Sequence, residues 1–131
     1  MKYAYPALIR PEDGVYSVFF PDIQKGGTSG DDIPDALFMA NDWLAATLYH
    51  MEDSKETVPE PSDVDTIETE QGDILTLVFA DTDEYRKKHD SKAMNRMVTL
   101  PRWLNHRAES AGVNFSQTLQ RALKAELNIT D

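Results

Sequence analysis

The chain has 131 residues, no cysteine, and 23 acidic against 13 basic side chains, for a formal net charge of −10. This length holds one domain or two small ones, and the lack of cysteine excludes a disulfide frame and a thiolate metal site. No apolar run is long enough to span a bilayer and no signal-peptide pattern opens the sequence, so a cytoplasmic protein with no membrane partner is expected.

Lys2–Ile9 alternates, with Tyr3, Tyr5, Ala7 and Ile9 on one side, and predicts a strand. Arg10-Pro11-Glu12-Asp13-Gly14 carries turn chemistry, and Val15–Phe20 predicts a second strand, ended by Pro21 and Asp22. Gly26-Gly27-Thr28-Ser29-Gly30 is a short third strand or a loop. It is no phosphate loop, because the Lys-Ser/Thr ending that grips phosphate and magnesium is missing. Asp31 or Asp32 caps a helix with Pro34 in its first turn. Ile33, Leu37, Ala40, Leu44, Leu48 and Met51 recur at steps of three and four, an apolar face that Trp43 broadens and that covers the sheet.

Glu52–Asp73 is the most acidic stretch and contains Pro59, Pro61 and Ser62, so it reads as a surface connection. Ile74–Ala80 is apolar enough for a central strand. Asp81–His89 predicts a short capped helix, with acids in its first turn and bases in its last, as the helix dipole favours. Met94–Leu100 predicts a further strand, and Pro101 suits the first turn of a helix that runs to about Ala111 and stops at Gly112. Asn114 caps a last helix, with Gln117 completing a capping box.

The charge divides along the same line. Residues 91–131 hold six basic and three acidic side chains, a net +3, whereas residues 1–90 hold seven basic and twenty acidic, a net −13. An acidic body and a basic tail module imply two surfaces with two partners.

Strand, helix, Gly turn and capped helix over residues 91–131 resemble a ribbon-helix-helix DNA-binding domain. That resemblance implies a homodimer, because one strand per chain cannot hide its edge and two chains must pair their strands. The outward side chains of the ribbon then enter the major groove. Alternation sends Val98 and Leu100 towards the helices and Asn95, Met97 and Thr99 towards DNA. Asn pairs with adenine, Thr donates or accepts, and Met touches a thymine methyl. Lys92, Arg96 and Arg102 are candidate phosphate contacts, as is the start of the last helix at Asn114 and Ser116. Arg96 falls on the buried parity, which calls for snorkelling to the dimer edge or a bulge that shifts the phase. Leu104, Ala108, Ala111, Leu119, Ala122, Leu123 and Leu127 are expected in the dimer core, and Trp103 in the core or at the groove edge.

The whole order is similar to HicB antitoxins of HicA–HicB toxin–antitoxin pairs. The matching residues are Tyr5-Pro6-Ala7, Pro21-Asp22, Gly27-Thr28-Ser29-Gly30-Asp31, Ala36-Leu37, Val78, Asp81 and Glu84-Tyr85-Arg86. Val98-Thr99-Leu100-Pro101-Arg102-Trp103-Leu104 and Ala111-Gly112-Val113-Asn114-Phe115-Ser116 complete the pattern. Ile23-Gln24-Lys25-Gly26-Gly27 stands where the family's commonest wording has a Gly-Cys pair. The resemblance implies an α+β chain in two parts. Residues 1–90 would form a partial RNase H-like sheet-and-helix domain without nuclease activity, which binds a small HicA-type ribonuclease toxin. Residues 91–131 would form a ribbon-helix-helix that dimerises and binds the operon's own operator DNA. A higher hetero-oligomer with the toxin follows from that arrangement.

On this reading acids replace RNA phosphates on the toxin's basic surface, with Glu12, Asp13, Asp22, Asp31, Asp32 and Asp35 as candidates. Phe19, Phe20 and Trp43 are the candidate apolar anchors. No catalytic residue, metal or cofactor is expected. An RNase H-type site needs carboxylates on neighbouring strands, and the first two strand interiors carry none. His50, His89 and His106 stand far from one another in sequence, in no metal spacing. Two other classes remain open: a stand-alone transcription regulator with an amino-terminal sensing domain, and a metal-dependent nuclease using Asp13 or Asp22.

Overall fold

A hairpin begins the chain. In the computed structural model, which describes residues 1–129, β1 (Lys2–Glu12) and β2 (Val15–Phe19) are joined by Asp13 and Gly14. Both turn residues have positive φ, 51° and 79°, the two-residue turn whose twist matches that of paired strands. Arg10, Pro11 and Glu12, expected in the turn, therefore belong to β1, and pairing runs to Glu12 opposite Val15. Gly27–Gly30 is strand, not loop, and forms β3; with β4 (Ile74–Asp81) the antiparallel sheet has the order β3-β2-β1-β4.

The turn also fixes which way β1 presents its backbone. A two-residue hairpin makes Glu12 and Val15 a hydrogen-bonded pair, so even-numbered residues of β1 face β2 and odd-numbered ones face β4. Pro6 thus aims its missing N–H at a flank where β2 has ended, because β2 pairs only from Leu8. Pro11 aims its own at a flank that β4, pairing only up to Ile9, does not reach. By the same parity Leu75, Leu77 and Phe79 turn their N–H and C=O groups away from β1, to the free edge of β4.

β4 was expected in the centre of the sheet and lies at its edge. Its apolar run has two causes. Val78 and Ala80 pack into the core, whereas Leu77 and Phe79 point to the opposite face and are 59% and 53% exposed. On that same face Ala4 and Phe19, which register beside Phe79 and Leu8, are exposed, whereas Pro6 and Leu8 between them are buried.

The other face is covered by α1 (Ile33–Asp53). Asp32 caps it, its carboxylate accepting from the Asp35 N–H at 2.8 Å. The buried stripe is Ala36, Ala40, Leu44, Ala45, Leu48 and Met51, packed on Tyr5, Ala7, Ile9, Val18, Phe20, Ile23, Val78 and Ala80. Ile33 and Leu37, expected on this face, are exposed. The helix meets β3 through its smallest pair: a Cβ on Gly30 would lie 2.3 Å from the Ala36 nitrogen. That close approach leaves the bulky neighbours of Ala36 at the margin.

Residues 54–73 are irregular apart from a 3-10 turn at Val64–Thr66. Tyr5 holds this connection by donating its hydroxyl to the Pro59 carbonyl, and Asp22 holds it by accepting from the Ser62 N–H at 3.0 Å. α2 (Thr82–His89) is capped by Asp81, which accepts from the N–H groups of Asp83 and Glu84. Glu52 then fastens three elements together. It accepts from the Tyr3 hydroxyl at 2.6 Å, the Thr82 hydroxyl at 3.0 Å and the Arg86 guanidinium at 3.3 Å. Burial and the Glu52 hydrogen bond push the Tyr3 hydroxyl up to about 12.

The chain divides into two compact units, Met1–Lys92 and a second from Ala93 onwards. The second holds α3 (Arg102–Ser110) and α4 (Phe115–Glu126), with Gly112 at φ 70° between them. Pro101 stands at the cap of α3 and not inside its first turn. The Asn114 side chain accepts from the Gln117 N–H at 3.1 Å, the half of the capping box that relieves the helix start. Residues 94–100, expected as a strand, carry no regular structure in the single chain. A strand needs a hydrogen-bonded neighbour, and the described residues supply none. No described residue of α3 or α4 is buried.

Candidate functional site

The acidic candidates of the first unit fall at two ends of the sheet. Glu12 and Asp13 sit at the hairpin turn, and register places Gly30 opposite Tyr16, so Asp31, Asp32 and Asp35 follow at that same end. Asp22 lies at the other end of β2, where its carboxylate is engaged by Ser62. Asp32 and Asp35 each accept one backbone N–H, from Asp35 and Asp31, yet both remain exposed to solvent.

The aromatic anchors separate more sharply. Phe20 is only 2% exposed and stacks on Trp43 at 5.3 Å between ring centroids. It is a core residue and offers nothing to a partner: β2 ends at Phe19, and the turn that follows, closed by the Ile23 N–H donating to the Phe20 carbonyl at 3.0 Å, sends the ring inward. Trp43 is half-buried by the same stack. Phe19 stays exposed on the open sheet face, with the Arg10 guanidinium over its ring at 5.6 Å. Arg10 also binds Asp73 through two hydrogen bonds of 2.8 and 3.0 Å, which hold the Asp73 carboxyl at about 2.

A surface that alternation did not disclose lies on the first turns of α1. Ile33, Pro34, Leu37 and Phe38 are all exposed, Phe38 to 70%. Steps of three and four make them one patch. Asp35 and Asp42 stand three and four residues from Phe38 and flank it, and Asp31 and Asp32 precede the patch. An apolar centre ringed by carboxylates suits a basic protein surface, since the centre supplies affinity and the rim steers association. The signal for it was in the sequence: Phe38 is an aromatic residue off the stripe of Ala36, Ala40 and Leu44.

In the second unit Arg96 lines, together with Val98, Leu100, Phe115, Ser116, Thr118, Leu119 and Ala122, a mostly apolar groove of about 330 Å³. Arg96 therefore shares the side of Val98 and Leu100, as parity demands, and is set apart from Asn95, Met97 and Thr99. The latter three are exposed, as are Lys92, Arg102, Asn114 and Ser116. Among the described residues no three His, Asp or Glu side chains converge as a metal site would require, and no described helix is long and apolar enough to cross a membrane.

Residues 4–80 match the family described as HicB_like antitoxin of bacterial toxin-antitoxin system. Antitoxin HicB 1 of Photorhabdus laumondii subsp. laumondii is 39% identical over 61 residues, 46% of this chain and 39% of that protein. Antitoxin HicB 2 of the same organism is 37% identical over 59 residues, 44% of this chain and 42% of that protein. The match thus spans about two fifths of the length of these relatives. Among solved structures, a chain of a toxin-antitoxin complex from Streptococcus pneumoniae superposes with a TM-score of 0.62 at 28% identity, covering 96% of this chain and 99% of that one. The antitoxin HicB of Burkholderia pseudomallei does so with a TM-score of 0.54 at 25% identity, over 92% and 96% of the two chains. The family match covers β1 to β4 with α1 between them, which is more than half of the chain, and this protein therefore belongs to the HicB-like antitoxin family.

Proposed function

We propose that this protein neutralises a HicA-type ribonuclease toxin through its first unit and represses its own operon by binding operator DNA through its second. One observation carries the reading: the stretch that matches the antitoxin family coincides with the acidic unit and includes the carboxylate-ringed patch of α1. A ribonuclease that grips RNA presents a basic surface, and this unit offers the opposite charge beside exposed Phe38 and Leu37.

For the second unit, two short helices without one buried residue do not form a core alone. A second copy would cover the Val98, Leu100, Phe115 and Leu119 groove by pairing residues 94–100 into a two-stranded ribbon. Asn95, Met97 and Thr99 would then face the major groove as a ribbon-helix-helix requires. In the first unit the sheet and its helix take the part of a partial RNase H fold.

The test uses the toxin and operator of the same operon. Removing residues 93–131 should abolish operator retardation in gel shifts while the remaining unit, which has its own core, still co-elutes with the toxin. Loss of toxin capture by a folded first unit would overturn the division of labour.

A further inference from the structure

With no cysteine in the chain, all of its sulfur lies in five methionines: Met1, Met39, Met51, Met94 and Met97. Their surroundings differ widely. Met51 is 6% exposed, packed in the core between α1 and the sheet, whereas Met94 and Met97 are 91% and 95% exposed. Oxidation of a thioether needs an open approach to the sulfur, and Met97 is the most open of the five.

Met97 also stands at a particular place in the second unit. Arg96, Val98 and Leu100 line its apolar groove, and alternation turns Met97 to the other side with Asn95 and Thr99. On the proposed ribbon, a twofold axis through the midpoint of residues 94–100 sets Met97 opposite Met97 of the second copy, and Asn95 opposite Thr99. Two thioethers then sit side by side at the centre of the surface that faces the major groove.

We propose that Met97 is an oxidation switch for DNA binding: hydroperoxides convert its thioether to the sulfoxide, and the sulfoxide releases the operator. The inference rests on the reading of the second unit as a DNA-binding ribbon. The sulfur lone pair attacks the terminal oxygen of the hydroperoxide and the O–O bond breaks. That oxygen stays on sulfur, its proton passes to the leaving oxygen, and the peroxide departs as water or an alcohol. Sulfur is oxidised by two electrons and the peroxide is reduced by two. The product replaces a soft apolar group with a polar acceptor. Guanine N7 and O6, adenine N7 and thymine O4 make much of the major-groove edge an acceptor too. Acceptor against acceptor repels where a thioether against a thymine methyl attracted, and the twofold axis repeats the effect in the adjoining copy. Bound DNA covers the sulfur, so the oxidant acts on free protein.

The test uses the full-length protein and the operator of its operon. Peptide mass spectrometry after hydrogen peroxide should find Met94 and Met97 oxidised well before Met51. Operator affinity in gel shifts should fall about tenfold or more, from the loss of two apolar contacts, and methionine sulfoxide reductases should restore it. Met94→Leu should stay sensitive to peroxide. Met97→Leu, whatever its own affinity, should bind equally before and after peroxide. Operator added first should slow oxidation of Met97 relative to Met39, and this measurement on the native chain decides where Met97→Leu binds too weakly to score. Full oxidation of Met97 with unchanged operator affinity overturns the proposal. So does a Met97→Leu variant as sensitive as the native chain, or operator that leaves the oxidation rate of Met97 unaltered. Failure of the underlying reading looks different: the reduced native protein would not retard operator at all, and both would fall.

Discussion

Asp73 shows how much a single residue fixes. Its carboxylate ties the start of β4 to Arg10 of β1 and also accepts the Glu70 N–H at 2.8 Å. Its affinity for protons is lowered from 3.8 to about 2, first by the Arg10 hydrogen bond and then by that backbone contact. A lowered carboxyl contributes stability that is complete above the unfolded value and lost as pH falls through the folded one. Urea unfolding between pH 5 and pH 2 should therefore steepen below about pH 4 in the native chain and flatten in Asp73→Asn. On the proposed partner surfaces, Phe38→Glu should cost the toxin complex about tenfold or more in affinity by calorimetry without lowering the melting temperature, since Phe38 is 70% exposed. Asn95→Ala should cost operator binding on the order of 1–3 kcal/mol and relax base preference at one position. Arg102→Ala should weaken all DNA alike and flatten the salt dependence of gel shifts. Residue identity alone misplaced Phe20 and overlooked Phe38. Whether an aromatic ring faces in or out depends on where its strand stops and which side of its helix meets the sheet, and neither is a local property.

Among the elements, those governed by local chemistry were legible before any coordinates. The Asp32 cap with Pro34, the Asp81 cap of α2, and the Gly112 stop and Asn114 cap between α3 and α4 all stand where turn and cap residues placed them. What pattern reading missed were relations between elements. β4 looked central because both its faces are apolar, and periodicity does not distinguish a face covered by the same chain from a face that waits for another. β3 was ambiguous because its glycines serve proximity more than turning. On Gly27 a Cβ would meet the Val18 carbonyl oxygen at 2.4 Å, and on Gly30 the Ala36 nitrogen at 2.3 Å. Both obstacles are backbone and do not swing aside. Gly30→Ala should destabilise the first unit by about 1–3 kcal/mol in urea denaturation, through displacement of α1 from the sheet. An unchanged midpoint would mean that the helix start is free to move.

At the scale of the whole molecule, the two units differ in how much core a single chain gives them. The first has its core within one chain, whereas no described residue of α3 or α4 is buried in one chain. If the second unit closes only around a partner, its ordered fraction falls on dilution while that of the first does not. Below the dissociation constant, operator occupancy would follow roughly the square of antitoxin concentration, whereas toxin capture would follow its first power. Repression would thus be the first function to lapse as the antitoxin is depleted, and transcription would resume while the remaining copies still hold toxin. Dilution series scored in parallel by gel shift and by toxin inhibition should show the DNA curve steeper and displaced to higher concentration. The missing core of α3 and α4 would in that way serve as a gauge of supply, read out before the reserve is spent.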